Sequence, residues 1–295
     1  MNTGTPLDLT PFGSVLQGIG ILYWLLALGG LIAALIQPKR WWGKALAVTC
    51  ILVGFGWMPV RMGWQEYQAR KRVDVATAHF EMRCKSAGEK IARTVENVDG
   101  LFIVNQRPSE VNFSDQYKLD DPYGHLGSGD NYIRLFLRGR ATRPMKIGEV
   151  ASPSDLVRYQ FVETASEGEG AVLRYTTPMG KVQSESITRN GGGVVPLDRE
   201  AVTERAARYG IEWADISTPE DRSYWVAGSR LRIIDLVSHD VIAERIGYMF
   251  DRGLGDTTNG RSPWAFARAN ACPALDEKTF YFFDRVLIPI KGETK

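Results

Sequence analysis

Two apolar runs, SVLQGIGILYWLLALGGLIAALI and KALAVTCILVGFGWMPV, fill most of the first sixty residues and then give way to mixed polarity. From Ser14 to Ile36 there is no charged side chain. At ~1.5 Å of rise per residue such a run crosses a hydrocarbon core of ~30 Å with some tilt. Residues 14–36 are therefore expected to form a first transmembrane helix behind a tail of residues 1–13. Residues 43–60 form a second, at the short end of the spanning range, with Lys44 able to carry its ammonium to the interface. The alternative is a buried helical hairpin of a soluble core, but such helices keep a polar stripe and Ile21 to Ile36 has none. The connector, 37–42, is so short that the helices must be antiparallel neighbours with both termini on one side. Trp41, Trp42 and Trp57 suit the membrane boundaries. Gly29 with Ala33, and Gly30 with Ala34, put small residues one turn apart, which suits packing within the hairpin or homo-oligomerisation through the spans. A cleaved signal peptide would need a basic start and a small-residue cleavage site. The first thirteen residues hold Asp8 and no Lys or Arg, and the run ends Leu35-Ile36-Gln37-Pro38, so an uncleaved anchor is expected.

Beyond Pro59 the spacing becomes helical. Val73, Ala76, Phe80, Cys84, Ala87 and Ile91 recur at steps of three or four, with charged residues between them, and predict a juxtamembrane helix over 61–93 with Cys84 on its inward face. Its basic run, Arg70 to Arg72, suits either anionic headgroups or solvent. The rest, 94–295, reads as one domain. Thr94–Val98 and Gly100–Val104 read as strands, as do Tyr132–Leu137, Leu156–Glu163, Ala171–Thr176 and Lys181–Thr188. Residues 107–131 read as a long loop, and Gly191 to Gly193 break the chain. Asp198–Tyr209 reads as a helix closed by Gly210. Residues 229–237 and 241–250 flank Ser238-His239-Asp240 as a hairpin, and their alternating polar members predict one exposed face. Asp276–Ile288 returns to helix. Strands with helices gathered at both ends predict an α+β fold with a mixed, mainly antiparallel sheet rather than an alternating one.

Charge leaves the orientation open. Lys39, Arg40 and Lys44 in the connector place it inside the cell and both termini outside, whereas Arg61 and Arg70 to Arg72 favour the domain inside. The cysteines weigh on this. Of the three, Cys50 lies within the second span, and Cys84 and Cys272 lie in the soluble part. A lone pair in an extracytoplasmic domain is expected to form a disulfide, and that reading places both termini and the domain outside. The alternative is two unrelated buried thiols in a cytosolic domain.

The candidate chemistry is sparse. A structural zinc site needs about four ligands, and the chain offers only His79, His125 and His239 beside the cysteines, so no metal and no cofactor is expected. The loop that holds Asp120, Asp121, His125, Asp130 and Asn131 could orient water or bind a cation, which makes His125, Asp120 and Asp121 the catalytic candidates. His239-Asp240 reads as a turn, and no Gly-x-Ser-x-Gly elbow is present. Gly124 to Gly129 lacks the Gly-Lys-Ser/Thr of a phosphate loop. Arg138, Arg140 and Arg143 form a local basic cluster. The chain as a whole carries a net charge of +2, from 36 Lys and Arg against 34 Asp and Glu, which gives no electrostatic footprint for nucleic acid. Asn112-Phe113-Ser114 has the form of a glycosylation sequon, read as chance.

The stretch Phe80 to Ile91, with Thr94 to Gly100 and Ala271-Cys272-Pro273, resembles uncharacterised bacterial membrane-anchored proteins with an extracytoplasmic domain. The resemblance covers the two ends of the soluble part and adds support for a Cys84–Cys272 pair, but it implies no activity. Together these readings lead to the expectation of a two-pass inner-membrane protein whose periplasmic domain binds another envelope protein. It would act as an immunity or inhibitor protein or as a subunit of an envelope complex, with membrane lipids as its other partner. Two rivals are an envelope hydrolase built on His125 and a cytoplasmic-facing sensor of lipid charge.

Overall fold

The computed structural model describes residues 11–105, 115, 129–138, 140–141, 156–165, 171–177, 196–275 and 282–290. The chain divides into two compact units, residues 1–72 and 73–295. In the first, α1 (Pro11–Ile36) and the start of α2 (Trp41–Cys84) are both long and apolar enough to cross a membrane. They pack through small residues: Ala27 and Ala34 are buried, and a Cβ on Gly30 would stand 3.5 Å from the Ile51 side chain. Gly29 meets nothing within 4 Å, so the two small-residue pairs divide, with Gly30 and Ala34 inside the hairpin and Gly29 on its outer surface.

Pro59 sits inside α2 and has no N–H to offer the carbonyl of Phe55 one turn earlier. The Tyr23 hydroxyl of α1 donates to that carbonyl, and the Tyr23 and Phe55 rings lie 5.2 Å apart. A neighbouring helix thus serves the backbone group that the proline leaves unpaired, as an apolar solvent requires. Tyr23→Phe keeps the ring and removes the donor. It should lower the stability of the helix pair by about 1 kcal/mol, read as a lower SDS midpoint for separating the helices of the full chain. In a Pro59→Ala background, where the helix ladder supplies its own N–H, the same change should cost almost nothing.

In the second unit, nine strands of the described residues form one sheet in the order β1-β11-β10-β9-β3-β6-β7-β8, with β12 (Ala271–Cys272) also on β11. The strands are β1 (Gly88–Ile91), β3 (Gly100–Ile103), β6 (Phe161–Ala165), β7 (Val172–Thr176), β8 (Asp198–Val202), β9 (Tyr209–Asp215), β10 (Val226–Asp235) and β11 (Val241–Phe250). Strand β3 runs parallel to both of its neighbours, β6 and β9, and the remaining pairings are antiparallel, so the unit is α+β with a mixed sheet. Smaller pairings join β2 (Val95–Val98) to β13 (Leu287–Pro289) and β4 (Arg140–Ala141) to β5 (Leu156–Val157). Helices α3 (Gly129–Leu137) and α6 (Phe282–Val286) close the main core over Leu101, Ile103, Val162, Ile211, Leu231 and Ile233. Toward the other end of the same face, Trp264 of α5 (Pro263–Ala267) packs on Ala227 and Met249.

The structure corrects several sequence-based elements. The helical spacing through Ile91 stops at Cys84, because Gly88 takes φ +145° and turns the chain into β1. Residues 132–137 are helix, not strand: Tyr132, Ile133, Phe136 and Leu137 share one helical face, and Phe136 meets Phe283 at 4.5 Å. Tertiary packing there overrides β propensity. Residues 198–209 are no helix. Asp198–Val202 pairs with β7, and the N–H groups of Ala206 and Ala207 donate to the Glu163 carboxylate instead of to a helical carbonyl. Of Asp276–Ile288, the described part is five residues of α6 followed by β13. Strands β2 and β3 follow each other without pairing. Lys181–Thr188 and Gly191 to Gly193 lie outside the described residues.

Candidate functional site

One face of the sheet is built from the side chains that alternate away from the main core, and two features of the second unit meet on it. At one end the last turns of α2 pack over Val226, Tyr248 and Phe250 through Ala76 and Phe80, with the Phe80 and Phe250 rings stacked at 5.5 Å. Cys84 is bonded to Cys272 of β12, across 188 residues of chain. Beside the disulfide lies a fully buried carboxylate, Asp221, the third residue of the short helix α4 (Pro219–Ser223). Thr218 caps that helix: its hydroxyl accepts from the Asp221 N–H while Asp221 accepts from the Thr218 N–H at 2.8 Å, a reciprocal capping box. The other claims on Asp221 come from α2. His79 Nε2 stands 2.6 Å from one oxygen and an Arg83 N–H donates to the other at 2.7 Å. The His79 ring lies against Tyr224, and the Arg83 guanidinium lies over Tyr248. Burial pushes the Asp221 carboxyl up, but the Thr218 N–H, His79, the Thr218 hydroxyl and the Arg83 charge together hold it below its ordinary value.

Farther along the same face, register places charged residues in rows across the strands. Lys90 of β1 is opposite Glu244 of β11, Glu244 opposite Arg232 of β10, and Arg232 opposite Glu212 of β9. The Arg232 guanidinium donates to Glu244 at 2.8 Å and stands 4.0 Å from Glu212. The side chains of Arg232, Glu212 and Glu244 are 31%, 32% and 21% exposed, so this row is open to solvent and polar partners. A second row crosses β6, β7 and β8 as Glu163, Arg174 and Glu200, with Arg174 on the buried Glu163 at 2.7 Å. Both rows alternate in sign. The first row neutralises itself pairwise and the second leaves one negative charge, and such a surface selects a partner by its charge pattern more than by net attraction.

At the far end of the β10–β11 hairpin, Asp235 is fully buried and accepts from Arg93 and Arg208, each at 2.9 Å, and from the N–H groups of Val237 and Ser238. The Arg208 hydrogen bond, opposed by burial and helped by the two turn N–H groups and the Arg208 charge, lowers its carboxyl to about 2. A depressed carboxyl stabilises the fold above its unfolded value of about 4, and that stability is lost as pH falls toward 2. The full chain should therefore keep its melting temperature from pH 7 to about 4 and lose it steeply below. Asp235→Asn should start lower and fall less over the same interval.

Two further carboxylates, the half-buried Asp215 and the buried Asp251, follow the same rule of an arginine for each. Asp215 is held by Arg222, itself 1% exposed, and Asp251 is held by Arg261 and by the N–H groups of Gly253 and Gly255. Gly255 takes φ +84° with the Trp225 ring where a Cβ would stand, so this tight loop admits no other residue.

Of the residues singled out by sequence, His125, Asp120 and Asp121 lie outside the described residues, as do Arg143, residues 112–114 and residues 124–128. Asp130 and Asn131 open α3, where Asp130 stands 3.8 Å from Arg134. Arg140 enters the short strand β4, and Arg138 follows α3 with a partner of its own. His239 sits exposed in the hairpin turn at φ +64°, with the Asp240 carboxylate accepting from Ser238. The structure brings Cys84 and Cys272 together. It also brings His79 and Arg83 to Asp221, an arrangement the sequence reading missed. The Thr218-Pro219-Glu220-Asp221 capping pattern was its one local signal. Among the described residues no cluster of His, Cys, Asp and Glu has the form of a metal site. Comparison with known protein families, with curated proteins and with solved structures finds no match to this chain.

Proposed function

We propose that the chain is a bacterial inner-membrane protein, anchored by α1 and the first part of α2, whose 73–295 unit binds another envelope protein in the periplasm. An immunity or inhibitor protein and a subunit of an envelope complex are the two forms of this reading. The observation that carries the anchor is the apolar surface of the first unit: Ile21, Trp24, Leu46 and Trp57 are each more than half exposed. Soluble monomers do not leave contiguous apolar surface of this extent in water. The disulfide supports the compartment, since such bonds persist in oxidising surroundings.

Binding through the open sheet face is favoured over strand addition at the sheet edges. Edge strand β1 carries Glu89 and Lys90, and edge strand β8 carries Asp198, Arg199 and Glu200. Charges on an edge oppose pairing with another chain. The alternating row Lys90–Glu244–Arg232–Glu212 offers a charge pattern instead. Tagged full-length protein, cross-linked in cells and purified in detergent, should recover one envelope protein in stoichiometric amount. Arg232→Glu should lose it while the domain keeps its melting temperature to within a few degrees. Recovery of no stoichiometric partner, or full retention by Arg232→Glu, would count against this reading.

A further inference from the structure

We propose that one side of α2, carrying Trp57, Arg61, Trp64, Lys71 and Arg72, binds anionic phospholipid headgroups in the leaflet at that end of the span. The inference rests on the membrane anchor proposed above and adds a lipid class and a set of residues to it.

At about 100° per residue these five side chains fall within an arc of about 100°, and Gln68 falls in the same arc. The arc is turned away from α1, which α2 meets through Ile51 and Phe55. All five are exposed. Depth follows from the helix rise. Trp64 lies 22 residues beyond Trp42, about 33 Å, so Trp41 and Trp42 at one end and Trp64 with Tyr67 at the other bracket one hydrocarbon thickness. Arg61 then lies about 5 Å inside the Trp64 belt, within reach of the interface by extending its stem. Lys71 and Arg72 lie about 11–12 Å beyond it, at the outer edge of the headgroups, where a few ångströms of side chain close the distance.

Charge selects the lipid. Among the described residues Arg61, Lys71 and Arg72 take part in no ion pair, and no carboxylate falls within their arc. Arg70, the middle of the basic run in sequence, is different: it points out of the arc and pairs with Glu66 at 2.5 Å. Three unpaired cations beside the Trp64 indole at headgroup depth, with Trp57 about 10 Å deeper among the acyl chains, have a phosphodiester anion as their complement, and a zwitterionic headgroup meets them with its own choline in competition.

The test uses the full chain in nanodiscs of mixed phosphatidylcholine and phosphatidylglycerol, with trace spin-labelled lipid of each kind. The motionally restricted fraction reports lipid at the protein surface. Labelled phosphatidylglycerol should be enriched there about threefold to fivefold over labelled phosphatidylcholine, and 1 M NaCl should reduce that preference. The triple variant Arg61→Gln, Lys71→Gln, Arg72→Gln should bring the ratio to about one, with Arg70→Gln unchanged. A ratio of one for the unaltered chain, a triple variant that keeps the preference, or an equal loss in Arg70→Gln would overturn the inference while leaving the anchor standing. Absence of a restricted component for either lipid would overturn the anchor as well.

Discussion

Replacing both Cys84 and Cys272 with serine should lower the stability of the 73–295 unit by up to about 5 kcal/mol, and it should do so only under oxidising conditions. The bond closes 188 residues of chain, and on the chain-entropy account a loop of that size restricts the unfolded ensemble by about that amount. On that account the effect lies in the unfolded chain, which the two serines leave unrestrained. Thermal unfolding of the full chain in detergent, followed by circular dichroism, measures the loss. Adding a reductant to the unaltered protein should bring its transition down to that of the double variant. Equal transitions for the two proteins without reductant would show that the cysteines are not joined.

The second large effect belongs to Asp221. Removing one partner of a buried ion pair leaves the other charges unmatched, and Asp221→Ala is expected to cost roughly 3–5 kcal/mol. Three contributions act together. The α4 cap loses its reciprocal hydrogen bond, His79 loses its acceptor, and Arg83 is left with its charge against Tyr248 and no carboxylate. The loss should be local before it is global. Hydrogen exchange in the last two turns of α2 should speed up markedly, while the amides shared by β10 and β11 keep their protection until global unfolding. His79→Ala should cost less, because the Thr218 N–H and Arg83 still serve the carboxylate. If Asp221→Ala leaves the exchange of residues 76–84 unchanged, the anchoring of the helix end to α4 is wrong.

Both expectations concern contacts over long sequence distances, and this explains what the sequence made legible. The two apolar helices and the β10–β11 hairpin could be read from local period alone, because runs without charge and period-two alternation need no partner to be recognised, whereas the face expected to be exposed is covered by α2 at one end and half-buried along the rest. The sequence-based elements that changed are those decided by partners far along the chain. Residues 198–209 have helix-forming composition, yet two of their N–H groups are taken by Glu163 and their first five residues by β7. Residues 132–137 are rich in aromatic and β-branched types, yet the core beneath them accepts a helix face. The buried carboxylates could not be assigned at all from sequence. Asp221 meets His79 and Arg83 across about 140 positions, and Asp235 meets Arg93 across a similar span. Nothing in the local sequence separates these aspartates from solvated ones.

The same distinction governs the first unit. Small residues at helical spacing announced close packing but left two pairs equivalent, and the contact of Gly30 with Ile51 separates them. Pro59 marked only a change of spacing, and the packed hairpin shows that it lies inside α2 and that Tyr23 serves the carbonyl it frees.

The central claim is that an antiparallel pair of spans carries a disulfide-bonded domain outside the cytoplasm, and protease treatment of intact spheroplasts tests it most directly. With a tag at the C-terminus, the account predicts that the domain is cut away without lysis, leaving a protected fragment of the spans. A domain that survives in intact spheroplasts and is cut only after the membrane is opened would contradict it.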